Sequence, residues 1–562
     1  MLTKPRLILL VAILLFVVFR YPILEHHPGI QDEQWFAIPG YTMWNEGVPR
    51  IPYLPTRIRS SFFENADVCL MALPPGLAFA QAPFFGIFEA GYPTARIPTF
   101  LAAIGIIVIA FRLAKLFEVG DFVLSMLLFV IALSRPLMFA GLTSRPDVLC
   151  IFFGLLCSLI LATEFVATDR ITQTTADVST RRRYLSVAFA GLSCGLAGLC
   201  HPLAIVFAMQ AGIALLFLGG GIKRMFIRLV TFGLASLVGI SPWLPYIAKY
   251  TYEFRSQFMS NVLDRAGPGL FARMLWPFPS LTHHTGLLWE LLGPIQLSAL
   301  LLAIIFGTVY VARRFRTVPV LTKPTEAIGE DAGVHDTETS FEQRQPKRLQ
   351  IFIVATFYAW SSLFLTATAA GRHPSQLYWL YAFIWCMLFG AIALDEVVHR
   401  VLALRSEQQH VAGKVYAVTS IGLVLCIAIV LPGGGFRTWL TYVTHWKDPR
   451  YHGQRFIAEV LEQIPQGAVC YVDVSYVFDV YLSGRPTILC ANREGMWGDE
   501  ELHYDCLLLA WEGDDGDWAN HYEAMFVKQF GSQASPQNCY VDLFVPLIQL
   551  KDSTLKKPEA IN

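Results

Sequence analysis

Two neighbouring carboxylates, Asp32 and Glu33, stand shortly after the first long apolar run, in His26-His27-Pro28-Gly29-Ile30-Gln31-Asp32-Glu33-Gln34-Trp35-Phe36. An acid pair among aromatic residues suits general-base chemistry, one carboxylate taking a proton while the other orients a substrate or an ion. The same pair also suits the acidic start of a helix over 33–46. Asp147 stands in Thr143-Ser144-Arg145-Pro146-Asp147, at the head of another apolar run. An ionisable group there is costly unless it meets water or a partner, and Arg145 is one partner in reach. Arg372 and His373 lie in Gly371-Arg372-His373-Pro374-Ser375-Gln376-Leu377-Tyr378, between two late apolar runs. A cation at such a turn can bind a phosphate emerging from a bilayer, and the planar guanidinium fork keeps its charge there. Anchoring to anionic lipid is the simpler use. His201 before Pro202 and Arg20 near the end of the first run are weaker members of the set. A lone His at a helix end is more often structural, and an Arg can snorkel.

The elements that position these groups must be membrane helices. Of 562 residues, 54% are hydrophobic and only 15% charged, with 41 Phe and 13 Trp and a mean hydropathy of +0.48. That excludes a soluble enzyme, a disulfide scaffold and a disordered hub. Zero net charge without a basic stripe argues against nucleic acid. A hydrocarbon core of about 30 Å takes about 20 apolar residues as helix. The expected spans are 5–24, 94–116, 120–141, 146–166, 184–200, 202–220, 226–248, 286–311, 349–369, 375–394 and 413–433, about eleven, with the pair around Pro202 the least defined. The first is read as an uncleaved span, because no small-x-small site follows it.

With the N-terminus in the cytoplasm, every second connection is basic: Arg112 and Lys115, Arg181-Arg182-Arg183, Lys223 with Arg224 and Arg228, Arg313-Arg314-Arg316, Lys347-Arg348, then Arg400, Arg405 and Lys414. The opposite loops run acidic, and 25–93 holds seven acids against three Arg. The tail 445–562 carries eighteen acids against nine Lys and Arg, which fits an exported domain. All the candidate residues then fall on the outer side.

Three pieces lie outside the spans. The loop 25–93 is too long and aromatic for a connector, and 76–90 reads as an interfacial helix. Residues 317–346 read as a disordered cytoplasmic linker. The tail reads as a small α/β domain, with helices at 453–464 and 477–482 and strands at 468–474, 487–490 and 506–511. Six cysteines fall in spans. Cys470, Cys490, Cys506 and Cys539 fall in the tail, where three pairings or buried free thiols are all open. No Cys/His metal spacing and no N-glycosylation sequon occurs.

The order of these parts resembles the GT-C membrane glycosyltransferases, in particular the bacterial relatives of protein O-mannosyltransferases and of the lipid A aminoarabinose transferase. Asp32-Glu33 resembles that family's acidic pair in the first external loop. Leu73-Pro74-Pro75-Gly76-Leu77 resembles its Pro-Pro segment, and Ala95-Arg96-Ile97-Pro98-Thr99 its Ala-Arg-Leu-Pro-Ser entry into the second span. Arg145-Pro146-Asp147 resembles its acid before the fourth span, and Gly371-Arg372-His373-Pro374 with Tyr378 its late basic Pro-Tyr turn. The sequence departs from the pattern at Leu73, where a basic residue is common, and at His201-Pro202, where many relatives carry Lys-Gly or Lys-Pro.

The resemblance implies an all-α polytopic GT-C domain over 1–444, followed by an extracytoplasmic α/β domain over 445–562, in a bacterial-type inner membrane. It implies inverting transfer of a sugar from a polyprenyl-phosphate donor to a lipid, glycan or protein acceptor. Asp32, Glu33 and Asp147 would serve catalysis. Arg372, His373, His201, Arg20 and Tyr378 would serve the donor phosphate. No obligatory metal is expected, because a lipid phosphate leaves with less help than a nucleotide diphosphate, although an acid pair can hold a divalent ion. A lipid or solute transporter is the main rival; it would place polar groups at mid-membrane, often in internal repeats, and none is evident. A membrane sensor is the third reading, and it leaves loop 25–93 without a purpose.

Overall fold

The computed structural model describes all residues except 1–2, 31, 60, 62, 168–175, 219–220, 265–266, 268, 318–343, 370, 372–374, 404–434, 491–502, 512–516 and 548–562. Most of the expected linker 317–346 and the whole expected span 413–433 lie outside the described residues.

Among the described residues, seven helices are long and apolar enough to cross a membrane, or eight if one bent pair is a single span. The helices of the bundle are α1 (Lys4–His26), α5 (Tyr92–Leu116), α6 (Asp121–Leu133), α7 (Arg135–Leu142), α8 (Pro146–Ala167), α9 (Ala176–Cys200), α10 (Ala204–Phe217) and α11 (Gly221–Ile240). Three more follow: α12 (Phe278–Thr317), α13 (Arg344–Ala369) and α14 (Trp379–Ala403). The short helices of the first loop are α2 (Glu33–Phe36), α3 (Ile38–Glu46) and α4 (Gly76–Phe85).

Ten of the eleven expected spans fall on described residues, still more than the seven or eight long apolar helices, and the reason is breaks that hydropathy does not register. The run 120–141 is bent by 48° at Ser134, whose hydroxyl caps α7 by accepting from the Leu137 amide. Pro202 ends one helix, and α10 then has only 14 residues. Residues 286–311 fall in α12, which is kinked at Gly293, where φ is +69°. The outer faces are apolar as a lipid-facing surface requires: Ile222, Phe226, Leu234 and Leu237 of α11 are all exposed. Inside the bundle one continuous apolar core joins α1, α5, α6, α8, α9, α10, α13 and α14, with Trp385 stacked on Tyr358 at 4.3 Å.

The tail holds an open five-stranded sheet: β1 (Cys470–Val472), β2 (Thr487–Leu489), β3 (Cys506–Leu509), β4 (Ala524–Gly531) and β5 (Tyr540–Pro546), in the order β2-β1-β3-β5-β4. β1 is parallel to β2 and β3, while β5 is antiparallel to β3 and β4. Helix α15 (Gly453–Leu461) precedes β1, and α16 (Val477–Leu482) crosses from β1 to β2. The three strands and two helices read from the sequence are all present, and the antiparallel pair β4–β5 is added to them.

The first loop and the tail share one hydrophobic core. Trp35, Ile38, Tyr53, Phe63 and Tyr92 pack in the same cluster as Phe456, Val460, Val477, Phe478 and Val541. The contact is also polar: the Gly29 amide donates to Ser475 O at 2.9 Å, the Tyr92 hydroxyl to Val474 O at 2.9 Å, and the Leu489 amide of the edge strand to Tyr53 O at 2.9 Å. Gly453 lies so close to Pro28 that a Cβ there would fall 2.8 Å from its Cα.

Candidate active site

Four of the candidate residues, Asp32, Asp147, His201 and Tyr378, are carried on helix ends that meet at one end of the bundle. Asp32 follows α1 and sits at φ +71°, a left-handed conformation that few non-glycine residues adopt and that costs on the order of 1 kcal/mol or more. It turns the chain sharply into the single turn α2. Pro146 opens α8 with its fixed φ, and Asp147 in that first turn meets the positive end of the helix. His201 closes α9, because the residue before a proline is driven out of the helical region. Tyr378 ends a 3-10 turn (Gln376–Tyr378) that feeds α14.

Arg145 joins these ends. Its guanidinium donates to Asp32 Oδ2, to Asp147 Oδ2 at 2.8 Å and to Ser375 Oγ at 3.1 Å. Asp147 then faces His201, with Oδ1 3.8 Å from Nε2 and no hydrogen-bond partner of its own. The Tyr378 hydroxyl lies 3.4 Å from the same His201 nitrogen. Asp32, Arg145, Asp147, His201 and Tyr378 thus form one chain of polar contacts.

The electrostatics are graded along it. Burial works against the Arg145 charge, and the Asp147 and Asp32 carboxylates more than restore it, holding its pKa above the free value. Burial pushes the His201 pKa down; Asp147 opposes this and Arg145 adds to it. His201 is therefore neutral near pH 7. Its Nδ1 accepts from the Leu203 amide at 3.1 Å, which leaves the ring proton on Nε2, directed at Asp147 and Tyr378. The side chain of Asp32 is 32% exposed and that of Asp147 1%, so the chain of contacts runs from open to closed.

Glu33 goes elsewhere. It is fully buried against Arg96 of α5, with Nη2–Oε2 at 2.5 Å and Nε–Oε1 at 2.8 Å. It also accepts from the Ile30 amide at 3.0 Å and from the Ser144 amide at 2.7 Å. Arg96 spends its other donors on the Leu24, His27 and Pro28 carbonyls. Two adjacent acids therefore grip two adjacent residues: Glu33 holds the backbone of Ser144, and Asp32 holds the side chain of Arg145. Arg20 is at a different break, donating to the Leu133 carbonyl at 3.1 Å where α6 gives way to α7. Arg372 and His373 lie outside the described residues. Sequence reading noticed Arg145 only as a neighbour of Asp147, and Arg96 only within a motif. The signal for both was present, since a cation beside apolar helix starts has to find acids.

Beside the polar chain lies a small apolar crevice, lined among others by Phe36, Leu73, Pro74, Leu77 and Pro146. Among the described residues no group of three or more His, Cys, Asp or Glu is placed to hold a metal ion.

No family model matches the sequence, and no curated protein matches it. Solved structures do match. ArnT from Cupriavidus metallidurans bound to undecaprenyl phosphate aligns with a TM-score of 0.54 at 13% identity, over 96% of this chain and 97% of that one. The apo state of the same protein aligns with a TM-score of 0.54 at 12% identity over the same shares. The archaeal oligosaccharyltransferase AglB from Archaeoglobus fulgidus, in complex with an inhibitory peptide and a dolichol-phosphate, aligns with a TM-score of 0.49 at 14% identity over 99% of this chain and 75% of that one. At these identities the likeness is one of fold, and over nearly its whole length the chain has the fold of ArnT.

Proposed function

We propose that this chain is a GT-C-type membrane glycosyltransferase. In this reading it moves a sugar from a polyprenyl-phosphate donor to an acceptor hydroxyl or phosphate at the outer face of a bacterial-type inner membrane, with inversion. The observation that carries the proposal is the chain of contacts Asp32–Arg145–Asp147–His201–Tyr378 at one end of a bundle whose fold is that of a protein solved with undecaprenyl phosphate.

The donor's lipid stays among the helices and its phosphosugar reaches the polar chain. Asp32 Oδ2 is held by Arg145, and its other carboxylate oxygen takes the acceptor proton. The acceptor oxygen attacks the anomeric carbon from the face opposite the phosphate. The carbon–oxygen bond to phosphate breaks, and the electron pair leaves on the lipid phosphate. Asp147 fixes Arg145 from its far side and holds the ring of His201 in reach. The His201 Nε2 proton and the Tyr378 hydroxyl, together with Arg372 and His373 a few positions earlier in sequence, stabilise the departing phosphate in a site poor in water. Arg20 supports the helix break behind them, and Glu33 positions Asp32. The reading assigns no obligatory metal: the charge developing on phosphate is met by the His201 and Tyr378 protons and by the Arg372 charge, and Arg145 already engages both Asp32 and Asp147. The N-terminus is assigned to the cytoplasm and the tail to the outside, following the basic loops.

Membranes with matched levels of wild type and Asp32→Asn test this with labelled polyprenyl-phosphate sugars, with and without a chelator. The expected result is transfer by the wild type, unchanged by the chelator, and a loss of at least about 100-fold in the variant. A wild type inert across a broad donor panel sinks the transferase reading and favours transport. An active Asp32→Asn sinks the mechanism alone.

A further inference from the structure

In the tail, Cys470 of β1 and Cys506 of β3 are direct partners in the parallel register. Both side chains are buried, and their Sγ atoms lie 3.2 Å apart. Neighbouring strands run about 4.8 Å apart, inside the window of about 4.4–6.8 Å between Cα atoms that a disulfide accepts. Closing to a bond of about 2.05 Å asks the sulfurs to approach by about 1.1 Å, within the reach of small χ1 rotations. The other tail cysteines are placed differently. Cys490 belongs to the cluster on the opposite face of the sheet, with Tyr471 and Leu507, and Cys539 meets the Tyr476 hydroxyl.

We propose that Cys470 and Cys506 form a disulfide that clamps β1 to β3. The surroundings favour attack by Cys470. The hydrogen bond from Cys506 brings its thiol pKa down, burial opposes this, and the nearby Arg485 charge adds to the lowering. Arg485 is anchored through Nη2 to the Leu461 and Ile464 carbonyls, and its buried Nε has no hydrogen-bond partner. The oxidant is a low-molecular-weight disulfide or a protein disulfide. The Cys470 thiolate attacks it and releases one thiol. The Cys506 thiolate then attacks Sγ of Cys470 and releases the second. Two S–H bonds are lost, one S–S bond forms, and two electrons and two protons end on the oxidant's thiols. Exchange takes place during folding or local opening, since the pair is covered in the closed fold.

The clamp sits on the strand pair that seats the first loop. Just past Cys470, the Asp473 carboxylate accepts from the Ser475 and Ala510 amides, tying the ends of β1 and β3 together. Val474 and Ser475 then hold Tyr92 and Gly29 of the loop that carries Asp32.

Purified full-length protein, equilibrated with glutathione disulfide and quenched with N-ethylmaleimide, is denatured, digested and mapped by mass spectrometry. The expected result is a peptide carrying Cys470 linked to Cys506, abolished by reductant and retained in Cys490→Ser. The linked tail should survive limited proteolysis at least about tenfold longer than the reduced tail, and Cys506→Ser should show no such redox dependence. The proposal is overturned if both residues stay alkylatable, if single glutathione adducts persist without a link, or if either cysteine links to Cys490 or Cys539. The wild-type map decides this even where the variant fails to fold. A link without protection overturns the clamp. The pair closes whether or not the bundle transfers sugar.

Discussion

At the scale of single residues the centre of the candidate site is a cation. Arg145 reaches Asp32 across 113 positions of sequence and Ser375 across 230, and no local pattern announces either contact. Asp32, Asp147, His201 and Tyr378 were legible because each is polar at the end of an apolar run or stands in a familiar short motif. What joins them was not legible, because it depends on which helix ends meet. Arg145→Lys checks the joining role. A lysine keeps the charge but offers one compact ammonium in place of a fork that spans two carboxylates. Transfer should fall at least about tenfold while the thermal midpoint moves little, as measured by initial rates and unfolding of the same preparations. Full activity in the lysine variant would show that charge alone suffices and that the bridging geometry is incidental.

At the scale of elements, the loop carrying Asp32 is fixed by α5 and by the tail. Arg96 and Glu33 form the strut, and α16 closes over it with Asp479. That carboxyl is buried, with Oδ1 unpartnered, and faces Arg96 and Glu33 along with Tyr53, Tyr92, Tyr476 and Cys539. Burial lifts its pKa from 3.8 to about 7, Arg96 pulls it down, and Glu33 pushes it up further. A carboxyl raised in this way keeps its proton in the fold after the unfolded chain has lost it. Its contribution to stability is full below about 4 and is lost as pH rises through about 7. Thermal unfolding between pH 4 and 8 should therefore show a decline that Asp479→Asn removes, and an identical decline in the variant would assign it to other groups. The helices and strands around this strut were readable from apolar spacing: α15, α16 and the three parallel strands match their expected places. The hairpin of β4 and β5 was missed. β4 is largely exposed, with a register shift between Phe526 and Lys528, so its alternation is blurred.

At the scale of the whole molecule, composition established a multi-pass membrane protein and overcounted the spans among the described residues. Hydropathy adds up residues and does not see a 48° bend at Ser134, a helix of 14 residues after Pro202 or a kink at Gly293. The sequence also divides naturally at 444/445, whereas the packing joins the first loop and the tail in one core. That shared core orders events in time. The segment that presents Asp32 leaves the ribosome well before the strands that seat it. Until they arrive, the Gly29 amide, the Tyr53 carbonyl and the Tyr92 hydroxyl lack the partners that the tail gives them, and the apolar side of the loop lacks its cover. A chain cut at residue 444 should enter the membrane normally, lose the loop to added protease and transfer no sugar; retained activity would show that the loop matures alone. On the transferase reading proposed above, synthesis of the tail acts as the licence for catalysis: a chain stalled before its strands cannot spend lipid-linked sugar.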